Sequence, residues 1–237
     1  MKLIKPFGIY SHGINLGNWF PCWNLSLNGR LLSPDFAALC DPGLAEAHKS
    51  VHDQSVDYLR SQGLPQGTMS PRAAWYVNAA ALIRRGGHVE IGAENTKWLT
   101  RGEMDEILAL SDIELELEEI RRKTSLEAAS RLCSLWVAED SDVGHAHIRS
   151  MLGPDTFIFQ VSIVAAIRFS KLDTRWFDLY CSTRNEEYAV NYWKGVPSSN
   201  SQTWEFLVEG CIEACETRDL DHIRKHGAHL ALRKECK

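Results

Sequence analysis

Groups able to hold a metal, attack a carbon or place a charge beside one occur at only a few points in this sequence. His222, His226 and His229 recur at helical spacing, and a His pair four apart on one helix face is a zinc-chelating geometry. No Glu follows the first His, Gly227 weakens the helix, and Arg and Lys surround it, so the segment reads as a solvated basic face. Cys211 and Cys215 also stand four apart, a spacing that matches no common zinc module. A nucleophilic Ser or Cys needs a strained elbow or a cysteine signature, and neither occurs; His145 and His147 read as ordinary helix histidines, one packed and one exposed. No glycine-rich dinucleotide turn and no P-loop is present, which excludes Rossmann and P-loop enzymes. What remains is an acid, Glu205, in an apolar run. If WEFLVEG is extended, Trp204, Phe206 and Val208 point one way and Glu205 points the other way with Leu207. An acid so placed needs a partner or a ligand, unless it is an exposed Glu on an edge strand.

The order of residues around that acid resembles a known family. Glu118 or Glu119 with Ile120 and Arg121 precedes Ser130, Arg131, Leu132, Ser134, Leu135, Trp136 and Val137; Ala146, then Tyr192, Trp193 and Gly195, then Glu205 with Leu207 follow. This succession, from Leu117 to Gly210, is similar to the ADP-ribosyltransferase-like bacterial toxins and effectors, with Ala129 where Pro is usual. The resemblance implies an α+β fold with a split antiparallel β core and a helical insertion. It also implies an enzyme that moves ADP-ribose from NAD to a macromolecular acceptor, a protein or a nucleic-acid base. An NAD glycohydrolase and a catalytically inactive protein-binding module are the alternatives.

Glu205 is then the catalytic residue, hydrogen-bonding the ribose hydroxyl and aligning the acceptor. The chemistry agrees with that role, because breaking the nicotinamide–ribose bond develops positive charge on the sugar, which a carboxylate stabilises. Arg131 offers a planar fork for dinucleotide phosphate oxygens, with an ion pair to Glu118 or Glu119 as the alternative. Ser130 either caps a turn or donates to the nicotinamide amide. Trp136 falls where related transferases set an aromatic ring against nicotinamide, and its other role is core packing. Tyr10 and His12, in IYSHG, resemble the Tyr-x-His-Gly strand that contacts the adenosine ribose in diphtheria-toxin-like members. The resemblance also implies a toxin or phage-defence setting with a restraining antitoxin protein. NAD is its one cofactor-like substrate, and no metal is expected.

These residues need elements to position them. Residues 1–42 read as loops and short strands, whose aromatic residues Trp19, Phe20 and Trp23, with Arg30, could stack an unpaired base. Residues 43–123 read as mainly helical: one run to Gly63, a second capped by Ser70 with Pro71 in its first turn, and a third from Thr100 to Thr124 with a break near Ser111 as its alternative. The acidic middle and basic end of the third run suit a helix dipole. SRLCSLWVAED alternates as a strand from Ser130, SDVGHAHIRSML is a helix capped by Ser141, DTFIFQVSIV is a strand or strand pair, and WEFLVEGCIEA is a strand or short helix. The tail from Asp219 begins as helix.

Composition bounds the rest. The chain has 237 residues, 44% of them apolar, enough for one globular domain with a real core. A formal charge of -5 gives no global attraction for nucleic acid, so contact with it would need a local patch. Seven cysteines without a C-x-x-C pair suit reduced thiols. The apolar runs are too short to span a bilayer and the opening residues lack a secretory signal, so a cytoplasmic protein is expected.

Overall fold

The computed structural model describes residues 3–65, 72–87, 89–91, 97–198 and 202–228. The chain runs through β1 (Tyr10–Ile14), α1 (Trp19–Asn28), β2 (Arg30–Leu32), α2 (Pro34–Cys40), α3 (Pro42–Ala47), a 3-10 turn (Val51–Asp53), α4 (Val56–Gln62) and α5 (Arg72–Arg84). It continues through β3 (Glu90–Ile91), β4 (Lys97–Trp98), α6 (Arg101–Thr124), β5 (Leu135–Glu139), α7 (Asp142–Leu152), β6 (Phe157–Asp173), α8 (Thr174–Thr183), α9 (Glu186–Trp193), β7 (Trp204–Ala214) and α10 (Thr217–His226). The architecture is α+β with an antiparallel main sheet. Among the described residues no helix is long and apolar enough to cross a membrane.

β-branched and aromatic residues recur at alternate positions from Phe157 onward and form one 17-residue strand, β6. Its first part pairs with β1 and the remainder with β7. Register shifts at Ile163/Ala165 and Ala166/Arg168 mark bulges, which bend and twist a strand. β7 pairs in turn with β5, and β5 with β1, so the four strands return on themselves in a ring; β2 extends the edge of β7 past β5. Phe206, Val208 and Ile212 face the inside of this ring with Leu135, Val137 and Tyr10. Leu207 faces outward, against Leu117, Tyr192 and Trp193 of α6 and α9.

The helices differ from expectation in several places. The run to Gly63 is not continuous: α3, the 3-10 turn and α4 divide it, with Asp41, Ser50 and Ser55 each capping a new start. Gly63, at φ +83°, does end α4. Ser70 and Pro71 lie outside the described residues. Ser111 breaks nothing. It is buried inside a continuous 24-residue α6, which a reciprocal Thr100/Glu103 capping box starts and a buried stripe including Ile107, Leu115 and Leu117 holds. Residues 19–28 are helix α1 rather than loop: Asn18 caps it, and Cys22 and Leu25 drop into the core. β5 begins only at Leu135, because residues 131–133 turn, with the Ser130 N–H and hydroxyl bound to buried acids.

Candidate functional site

β1 and β5 register at Tyr10↔Glu139 and Ser11↔Ala138; past that point β1 follows β6 while β5 follows β7. A cleft of about 470 Å³ opens where they part, lined by residues 12–14 of β1 and 135–138 of β5 and by parts of α1, α5 and α7. Its size is within the ordinary range of small-molecule sites. Gly13 is required at this point, since a Cβ there would lie 2.4 Å from Ile148 and 2.8 Å from Thr156, and α7 could not close on β1. His12 crosses the gap: its Nδ1–H donates to the Trp136 carbonyl at 2.7 Å, which leaves Nε2 as an acceptor. Burial pushes the imidazole pKa down, against the smaller opposing effect of that hydrogen bond.

Glu205 also lines the cleft, and it is 2% exposed. β7 is paired along both edges, so the edge-strand alternative falls. Glu205 Oε1 accepts from the Tyr192 hydroxyl at 2.5 Å and from Arg131 at 3.0 Å. Among the described residues no hydrogen bond reaches Oε2. Burial raises the Tyr192 pKa well above its usual value, so the phenol keeps the proton it donates.

Arg131 reaches Glu205 but is not placed for phosphate. Its Nε and Nη2 grip Glu114 at 2.8 and 2.9 Å, and Nη1 donates to Tyr192 at 2.7 Å and to Glu205. The guanidinium carbon lies 4.3 Å from the Trp136 ring centroid and 4.2 Å from that of Phe177. Burial opposes the charge, yet Glu114, Tyr192 and Glu205 together hold its pKa well above the usual value. The ion pair considered from sequence, with Glu118 or Glu119, does not form: Glu118 binds Arg121 and Arg122, and Glu119 binds Lys123.

Trp136, His12 and Glu205 therefore share one cleft, with Arg131 behind Glu205. Ser130 does not line that cleft. It is fully buried, its hydroxyl donates to Glu118 at 2.8 Å and its N–H to Glu209 at 2.7 Å. Tyr10 sits inside the ring, its aromatic centroid 5.1 Å from that of Phe206 and its hydroxyl donating to the Phe7 carbonyl. Phe20 lines the cleft and Trp19 packs edge-on against it, 44% exposed, whereas Arg30 is paired with Glu213. His222 and His226 lie on an exposed face with ring centroids 4.5 Å apart, and His229 is outside the described residues.

A second buried cluster surrounds Glu209, which accepts from His52, Ser130 and Arg168. Burial works against its charge, but these donors, His52 first, lower its pKa to about 2. Asp35, His52, Cys133 and Glu209 bring potential metal-ligand atoms within 4.8 Å of one another. Arg121 donates to His52 Nδ1 at 3.1 Å, so the ring proton occupies Nε2 and points at Glu209, 3.0 Å away. Burial, with Glu209 and Asp35 nearby, keeps Cys133 a thiol. In this protonation state a metal would have to displace both protons.

One family matches residues 84–221, described as Protein of unknown function (DUF2441). The chain belongs to that family. The DUF2441 match includes Arg131, Trp136, Tyr192 and Glu205 and leaves out β1 with His12 and the cleft-lining part of α5. No curated protein matches the chain.

Sequence reasoning missed Glu114, His52, Asp35, Arg72 and Trp75, and gave Tyr192 no role. Glu114 and Glu118 did leave a trace, as two acids four apart on a face of α6 that also carries apolar residues. Glu209 follows Glu205 at an even strand spacing, which puts both on one face. His52 and Asp35 left none, because their partners are remote in sequence.

Proposed function

We propose that the chain is an NAD-consuming mono-ADP-ribosyltransferase of the bacterial toxin or phage-defence kind, acting in the cytoplasm on a macromolecular acceptor. The Glu205 carboxylate carries the reading: Arg131 and Tyr192 fix one oxygen, and among the described residues the other has no hydrogen-bond partner in a cleft that His12 and Trp136 also line. The parting of β1 from β5 fits the split core that the resemblance implies.

Cleavage sends the glycosidic electron pair to the nicotinamide nitrogen and leaves positive charge at the anomeric carbon. A carboxylate already locked in place stabilises that charge without reorganising. Glu205 Oε2 accepts a hydrogen bond from the ribose hydroxyl or from the attacking acceptor group, which passes its proton to that oxygen as the new bond to carbon forms. His12 Nε2 is a second acceptor for a sugar hydroxyl. Arg131 works through Glu205 as a positioning residue. Trp136 supplies an aromatic wall, and an antitoxin would restrain the enzyme by covering the cleft.

The test is to incubate the purified chain with NAD, protein, RNA and DNA, following nicotinamide release and the fate of labelled ADP-ribose. Nicotinamide release that Glu205→Gln abolishes is the expected result, and the labelled species identifies the acceptor. Free ADP-ribose alone would make the acceptor water and the enzyme a glycohydrolase. Absence of release with every acceptor would overturn the reading and leave the binding-module alternative.

A further inference from the structure

The transferase reading leaves the diphosphate of NAD without a cation, because Arg131 is buried, with four of its five donors on Glu114, Tyr192 and Glu205. Among the described residues that line the cleft, Arg72 is the one Arg or Lys. It belongs to α5, and Trp75, three residues on and therefore on the same side of the helix, lines the cleft as well. Trp75 is 37% exposed, and its ring is held edge-on to Tyr76 with centroids 5.1 Å apart.

The Arg72 guanidinium is oriented without being used up. Nε and Nη2 donate to the Tyr76 hydroxyl at 3.3 and 3.2 Å, and Nη1 donates to the Met151 carbonyl of α7. A guanidinium carries five N–H donors, so donors on Nη1 and Nη2 are left over. Charged N–H groups in a fixed fork suit phosphate oxygens, and a half-exposed indole one turn away suits the face of a base.

We propose that Arg72 and Trp75 form a nucleoside-diphosphate subsite on α5, with Arg72 binding the diphosphate and Trp75 stacking on the adenine of the same ligand. The proposal rests on the transferase reading of the cleft. It gives the helical segment a part in ligand binding.

The test is titration of the full chain with ADP and with adenosine by calorimetry, alongside a separate nicotinamide-release assay. The wild type binds ADP. Arg72→Ala weakens ADP binding about tenfold or more and adenosine binding less than about twofold, as expected for a charge-assisted contact. Trp75→Ala weakens both ligands by a similar factor, and Trp75→Phe restores most of the loss. Failure of the wild type to bind ADP, or unchanged ADP affinity in Arg72→Ala, overturns the subsite. So do equal losses for ADP and adenosine in Arg72→Ala accompanied by a lower Tm, which would mean that Arg72 only ties α5 to α7. Nicotinamide release with an unchanged KM in both alanine variants sinks the subsite and spares the transferase reading. ADP binding with the expected mutant pattern, but no nicotinamide release, does the reverse.

Discussion

Glu205 and Glu209 stand four residues apart on the same face of β7, both buried and both paired with an arginine. Glu209 has donors on both oxygens: His52 and Ser130 on Oε1, His52 and Arg168 on Oε2. Among the described residues Glu205 has its donors on Oε1 alone, and it borders the cleft. A carboxylate satisfied on both oxygens has no capacity left for a ligand, and removing it strands its donors. A carboxylate with one free oxygen at a cleft wall is held rigidly and still has a valence to offer. Residue type and burial are alike in the two regions, so the proposed division, structure for one acid and chemistry for the other, rests on coordination of the second oxygen.

Removing Glu209 is the most damaging way to probe this contrast. Glu209→Ala leaves Arg168, His52 and the Ser130 N–H without their acceptor, at an expected cost of ~3–5 kcal/mol in unfolding free energy. Urea denaturation measures it, and a cost below ~1 kcal/mol would remove the structural assignment. Glu205→Gln should lower nicotinamide release by about 10²–10³-fold, the scale of losing one preorganised electrostatic group. Its Tm should stay close to wild type, because the amide oxygen still accepts from Tyr192 and Arg131. Parallel losses of activity and Tm would make Glu205 a structural acid too.

Acid titration gives a comparable effect by a different route. The Glu209 pKa falls from 4.5 to about 2 on folding, a contribution of ~3 kcal/mol. Because the folded value is the lower one, this stability is present above the ordinary carboxylate pKa and is lost as pH drops from there through about 2. Urea midpoints measured across that window should fall more steeply for wild type than for Glu209→Ala, and identical slopes would contradict the assignment.

The smallest effect serves as a control. α6 supplies Glu114 to the first network and Glu118 to the second, so Thr100→Ala, which breaks its capping box, should cost ~1 kcal/mol while leaving nicotinamide release per folded molecule unchanged. A selective loss of release would mean that the cap positions Glu205 in particular.

How much of this was legible depended on how local the cause was. The face on which Glu205 lies follows from strand alternation in WEFLVEG, and the stop at Gly63 follows from its left-handed backbone; both are properties of short windows. Arg131 was recognisable as a residue needing a partner, but its partners were not, since Glu114 and Glu205 lie 17 and 74 positions away. Ser130 looked like a ligand-binding hydroxyl beside Arg131 and became a buried donor to Glu118, because the chain turns there before β5 starts. α1 was missed because its sequence, WFPCWNLSLN, lacks strong helix formers at most positions, and burial of Cys22 and Leu25 outweighs that weak preference.

By itself the sequence determined the strand faces around Glu205, the charge order of α6, the capped start of α7, and the absence of dinucleotide-turn and P-loop motifs, because each depends on residues within a few positions of one another. Tertiary structure alone decided that β1 and β5 part to open a cleft, that Arg131 serves Glu205, and that Glu209 is sealed. The reason is physical: a buried charge takes its properties from whichever donors surround it in space, and here the donors come from helices and turns that the chain brings together only on folding.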